Sequence, residues 1–157
     1  MPALNSSLVR LFAFMAVLSL SWGEAKAQMN CIISVAPLAF GTYAPGDPTP
    51  LDTTGQLDIS CRGQNGLLSV AMSPGSSASF AAREMRSGVF AMLYNLFVDA
   101  ARSIVWGDGT GGTTVINLVK PNSGRQDFSL SVYGRVPPQQ SVAAGAYADD
   151  ILITVSF

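Results

Sequence analysis

The 157-residue sequence contains no histidine. That absence removes the commonest general base and the commonest metal ligand together. Charge is scarce too: nine Lys+Arg stand against ten Asp+Glu, 12% of the chain, for a formal net charge of −1. Such a balance offers no field for nucleic acid, which calls for a clearly basic surface. The two cysteines cannot complete the four-ligand shell of a structural zinc site by themselves. The most apolar run, Leu11–Leu20, falls well short of the roughly 20 residues that cross a bilayer as a helix. These shortages point away from an enzyme, a nucleic-acid binder and a stably inserted membrane protein. What the chain does have is apolar material, 48% of it, enough to build one domain around a real core.

Residues 1–27 read as a secretory signal peptide. A short leader carries the single charge Arg10, the apolar run follows, and Gly23 and Glu24 precede the small-residue site Ala25-Lys26-Ala27. Cleavage there leaves residues 28–157 as the mature domain. An oxidising destination makes a cysteine pair a disulfide first, and Cys31 with Cys61 is the one pairing within the chain. Parity supports it. Cys61 alternates in phase with Leu57 and Ile59, and Cys31 shares a face with Ile33 and Val35. A redox-active or metal-bound pair lacks a CxxC motif and a histidine partner.

The mature sequence is broken by turn residues every ten or so positions, as at Pro45-Gly46-Asp47-Pro48, Pro74-Gly75-Ser76, Pro121-Asn122-Ser123-Gly124 and Pro137-Pro138. Period-2 runs lie between them. Leu68, Val70 and Met72 form one, Phe128, Leu130 and Val132 another, and Ile151, Ile153, Val155 and Phe157 a third. Short strands at this spacing predict an all-β sandwich. Phe90–Val98 is ambiguous: its apolar residues also fit a helical stripe, while its aromatic content and brevity favour a strand buried on both faces.

Several segments in order carry a family resemblance. They are Leu38-Ala39-Phe40-Gly41-Thr42-Tyr43, Asp52-Thr53-Thr54-Gly55, Phe80-Ala81-Ala82-Arg83-Glu84-Met85 and Leu93-Tyr94-Asn95-Leu96-Phe97-Val98-Asp99. Val105-Trp106-Gly107-Asp108-Gly109-Thr110-Gly111-Gly112, Val132-Tyr133-Gly134-Arg135-Val136-Pro137 and Gly145-Ala146-Tyr147-Ala148-Asp149 follow. Together they resemble the spore coat protein U domain family, which includes subunits of the archaic, Csu-type chaperone–usher pili. The resemblance implies an incomplete immunoglobulin-like β-sandwich, lacking its last strand and completed by donor-strand complementation. It implies as partners a periplasmic pilus chaperone, an usher and a neighbouring subunit that donates a strand. It also implies export through the periplasm to the cell surface. The alternative is a non-polymerising secreted coat or matrix protein of the same fold.

The residues of the last strand agree with that implication. Ile151, Ile153, Val155 and Phe157 alternate with no charge after Asp150, and such an edge is an aggregation liability if unpaired. They are the expected chaperone and donor-strand interface, by β-augmentation. The alternative is an internal strand of a complete sandwich. Only Gln28, Met29 and Asn30 precede Cys31 after the predicted cleavage, too short a reach to donate a strand. The expectation is a subunit that accepts a strand at a fibre tip, or a minor subunit, with a part in surface adhesion and biofilm formation.

The remaining candidates have plainer readings. Trp106–Gly112 lacks the ligand series of an EF-hand and the lysine of a P-loop, and reads as a tight connection. Asp99, Asp108, Asp149 and Asp150 lie at turns or strand ends, where solvated carboxylates are the default, rather than as a glycosidase pair. Arg83 and Arg86 are too few for a basic patch. Tyr94, Trp106 and Tyr133 form either a carbohydrate platform or part of the core, and Tyr147 a tyrosine corner. The loops Ala44–Pro50 and Ser73–Ser79 are where adhesive contacts would sit. No catalytic residue, cofactor or metal ligand is assigned.

Overall fold

The computed structural model describes residues 28–157; the predicted signal peptide lies outside the described residues. Eight strands form two sheets, and no α-helix occurs among the described residues. The strands are β1 (Asn30–Val35), β2 (Leu51–Arg62), β3 (Gly66–Met72), β4 (Arg83–Ser87), β5 (Phe90–Phe97), β6 (Ile116–Lys120), β7 (Gln126–Val136) and β8 (Ile153–Ser156). The larger sheet runs β1-β2-β7-β5-β4 and the smaller β6-β3-β8. Every named pairing is antiparallel.

Alternation decides what lies between the sheets. From β2, Leu57, Ile59 and Cys61 point inward and are fully buried, while Gln56 and Asp58 stay outside. From β3, Leu68, Val70 and Met72 meet them from the other sheet. Each buried aliphatic side chain contributes roughly 1.5–3 kcal/mol against leaving it in water. Val132, Val136, Met85, Met92, Tyr94, Leu96 and Trp106 complete the core. Phe90–Phe97 is a strand, and it is buried on one face only. Met92, Tyr94 and Leu96 face inward and are buried while Phe90 and Leu93 are exposed, so the strand has one packed face, not the two expected.

The Cys31–Cys61 disulfide joins directly opposed residues of β1 and β2, with Cα atoms 4.0 Å apart. Tyr147 makes the expected corner: its hydroxyl donates to the Ala143 carbonyl at 2.9 Å, four residues upstream. The strand predicted over Ile151–Phe157 is shorter. Regular pairing covers Ile153–Ser156, because Leu152 and Ser73 instead bond through the Ser73 backbone and hydroxyl where β3 has ended.

Candidate functional site

β1 and β8 each end a sheet, and their inward faces border one cleft. In β1, Ile33 lies opposite Ile59 and Val35 opposite Leu57. Directly opposed residues of an antiparallel pair point to the same side. Ile59 and Leu57 are 1% and 0% exposed, whereas Ile33 and Val35 are 38% and 49% exposed. The core is therefore covered at β2 and uncovered one strand further out. β8 repeats the pattern from the other sheet. Ile153 and Val155 pair opposite the buried Met72 and Val70 but are themselves only half-buried. Phe157 is exposed.

The cleft between these edges measures about 410 Å³. Val35 and Ile153 form its lips, with Met72, Leu96 and Val132 behind them and Leu38 at its side. Its polar residues are Gln56, Tyr94, Tyr147, Asp149 and Asp150, and no lysine or arginine lines it. Along β8, hydrogen-bonded pairing runs to β3 alone among the described residues. Likewise β1 pairs with β2 alone. Both strands thus carry backbone groups free to pair with a further strand.

One end of the cleft is braced by a polar cluster. Asp149 accepts hydrogen bonds from the Tyr94 hydroxyl at 2.7 Å and the Ser76 backbone at 2.9 Å. Burial pushes the Tyr94 phenol far up, and its hydrogen bond to Asp149 adds to that. Tyr94 therefore stays a neutral donor. Arg83 is fully buried beside it. Its guanidinium donates to the Ser73 carbonyl at 3.1 and 2.9 Å, to the Trp106 carbonyl at 2.7 Å and to the Asn95 amide oxygen at 2.6 Å. Burial lowers its pKa, while Tyr94 and Asp149 oppose that shift. One signal of this was present in the sequence: Arg83 and Met85 are two residues apart and so share the inward parity of β4.

The other candidates separate. Trp106 is buried and donates from Nε1 to the Val70 carbonyl at 3.0 Å. With Tyr94 also buried and Tyr133 lying under the Arg102 guanidinium at 5.7 Å, the three aromatics form no exposed platform. Asp99 is held below the usual carboxylate range by the backbone N–H of Ile104 first, with the Ser103 hydroxyl and N–H adding. Asp108 is lowered by the Thr110 hydroxyl and N–H. Both carboxylates organise turns. Arg86 is exposed and pairs with Glu84. Among the described residues, no three His, Cys, Asp or Glu side chains converge to hold a metal ion. Nor is any helix there long and apolar enough to cross a membrane.

Comparison with known proteins bears on this geometry. The sequence profile of the Spore Coat Protein U domain matches residues 15–154. "Protein U" of Myxococcus xanthus is 31% identical over an alignment of 140 positions, which covers 76% of this chain and 71% of that protein. Among solved structures, the chain is similar in fold to one from the CsuC–CsuE chaperone–tip adhesion subunit pre-assembly complex of archaic chaperone–usher Csu pili of Acinetobacter baumannii. There the TM-score is 0.52 and the identity 20%, over 83% of this chain and 40% of that one. On the extent of the profile match and the sequence relative together, the chain belongs to the spore coat protein U domain family.

Proposed function

We propose that the protein is a secreted structural subunit of an archaic chaperone–usher fibre, which accepts an extended strand in the cleft between β1 and β8. One observation carries this reading: Ile33 and Val35 sit in register with the fully buried Ile59 and Leu57, yet remain 38% and 49% exposed. An apolar face built for a core and left at a strand edge calls for one more strand. Ile153 and Val155 offer the matching face across the cleft, with Ile151 beside it and Phe157 beyond. They are the residues a donated strand or a chaperone strand would contact. The periplasmic chaperone, the usher and a neighbouring strand-donating subunit are the partners in this reading. The route is export through the periplasm to the cell surface.

The structural neighbour is part of a chaperone–tip adhesion subunit complex. It supports the finer reading, a tip or minor subunit with a part in surface attachment and biofilm formation. Co-expression with a chaperone from a Csu-type system tests the coarser one. The expected result is a stoichiometric complex that deletion of Ile151–Phe157 abolishes. A chain that folds, stays monomeric and ignores the chaperone would instead support the second reading, a non-polymerising secreted coat or matrix protein of the same fold.

A further inference from the structure

Residues 28–157 hold the methionines Met29, Met72, Met85 and Met92, and each of them borders a hollow. Met72 lines the cleft of about 410 Å³ between β1 and β8, and Met92 lines a second hollow of about 710 Å³. Met85 lines both. Met29 lines a third, of about 480 Å³. Strand phase puts three of them there. Met72 is paired opposite Ile153 of β8, and Met85 opposite Met92 across the β4–β5 pair, and directly opposed residues share a face. All three are buried residues of the core.

A leucine at these positions would be chemically inert, and a thioether is not. Hydrogen peroxide transfers one oxygen atom to the sulfur. An S–O bond forms, the O–O bond breaks, the sulfur gives up two electrons and the peroxide leaves as water. A water molecule takes about 30 Å³, and hydrogen peroxide is little larger, so both hollows admit it. The product is polar where the wall is apolar. A sulfoxide oxygen accepts hydrogen bonds, yet the side-chain donors that line the cleft are already engaged. The Tyr94 hydroxyl donates to Asp149, the Tyr147 hydroxyl to the Ala143 carbonyl and the Gln56 amide to Asp58. Water satisfies that oxygen while the cleft is open. Beneath an apolar strand it is buried without a donor, which disfavours the strand.

We infer that Met72 and Met85 are oxidation sites whose sulfoxides close the cleft to an incoming strand, and which a seated strand shields from peroxide. This rests on the strand-accepting reading above. Shielding should be graded, because the three core methionines border different hollows. Met72 is reached through the cleft alone, Met85 through the cleft and the second hollow, and Met92 through the second hollow alone.

Peroxide treatment followed by peptide mapping in a mass spectrometer tests this. The full chain is compared with the same chain carrying a flexible linker and a nine-residue strand of alternating Val and Thr after Phe157. Slowed amide exchange in Ile153–Ser156 reports that the strand is seated. Sulfoxide formation in the fused chain should then slow on the order of tenfold or more at Met72, less at Met85 and by under about twofold at Met92. A seated strand that leaves Met72 unshielded overturns the inference and leaves strand acceptance standing. Unprotected β8 amides overturn the strand-accepting reading and the inference with it. Prolonged treatment, until Met72 and Met85 are converted, should speed β8 exchange in the fused chain on the order of tenfold, with the β2 and β7 amides still slow. A Met92→Leu chain should respond in the same way. In a Met72→Leu/Met85→Leu chain the same treatment should change β8 exchange by under about twofold from its own starting value. Persistent β8 protection in a chain oxidised at both positions refutes the closing role. So does a response that disappears with Met92→Leu, or one that unfolds β2 and β7 as well.

Discussion

Truncating the edge residues in two backgrounds gives the sharpest test of an uncovered core. Ile33→Ala removes three carbons and Val35→Ala two, each worth about 0.8 kcal/mol when fully transferred from water. In the isolated chain Ile33 is already 38% exposed and Val35 49% exposed, so that share of the transfer energy is absent from its stability. Once a fused strand covers β1, the missing share enters the cost of truncation. It amounts to about 0.9 kcal/mol for Ile33 and about 0.8 for Val35, hence about 1.7 kcal/mol for the pair. The double variant should therefore cost the strand-fused chain more than it costs the isolated chain. At about 2–4 °C per kcal/mol for a domain of this size, the extra fall in Tm is about 3–7 °C. Ile59→Ala is the control. Ile59 is 1% exposed, so its cost, about 2–5 kcal/mol, should be the same in both backgrounds. Thermal unfolding followed by far-ultraviolet circular dichroism, with the disulfide intact, reads all of these. Equal cost of the Ile33/Val35 pair in both backgrounds would refute the claim that a donated strand covers that face.

Three further outcomes follow from the structure. Reducing Cys31–Cys61, which closes a 30-residue separation, should cost roughly 3.5 kcal/mol on the chain-entropy account; urea unfolding with and without reductant measures it, and an unchanged midpoint would contradict it. Arg83→Ala leaves the carbonyls of Ser73 and Trp106 without their buried side-chain donor and the Asn95 amide oxygen with the Leu96 N–H alone; a loss on the order of 3 kcal/mol is expected, and a Tm within a degree of the parent would show the network to be dispensable. Asp52 is held below the usual carboxylate range by its hydrogen bond to Arg135 first, with Arg102 also lowering it. A folded pKa below the unfolded one stabilises above the unfolded value, and that stability is lost as pH falls through the folded pKa. Asp52→Asn should therefore lower stability at pH 7 by no more than about 1 kcal/mol, given its partial exposure, and by progressively less as the pH falls below the usual carboxylate range; a penalty that does not shrink on acidification would exclude the ion pair as its source.

The inward sets of β1, β2, β3, β7 and β8 could be read from alternation, whereas Phe90–Phe97 was expected to bury both faces and buries one. Leu57, Ile59 and Cys61 share one phase, and Leu68, Val70 and Met72 share another, because a period of two maps directly onto two faces. Chain parity also placed the cysteines on matching faces, and the bond joins residues in register. Arg83 was not legible in the same way. A guanidinium is buried only where several neutral acceptors converge, and here they come from positions 73, 95 and 106, which no local pattern connects. For the same reason Trp106 looked available in a glycine-rich stretch, yet its indole reaches the Val70 carbonyl inside the core. The close approach of Leu38 to Gly55 and of Leu38 and Phe40 to Gly134, which leaves no room for a Cβ, was equally hidden, since a glycine in a strand signals close approach without naming what approaches.

By itself, then, the sequence determined the class of the fold, the phase of β1, β2, β3, β7 and β8, the disulfide and the apolar character of the β8 edge, because all of these follow from residue type and spacing. The tertiary structure alone decided which strands end the sheets. An edge is a relation among strands distant in sequence: Val35 is exposed because β1 has β2 on one side and the cleft on the other. A period of two reports which face a residue takes, and only sheet order reports whether anything covers that face.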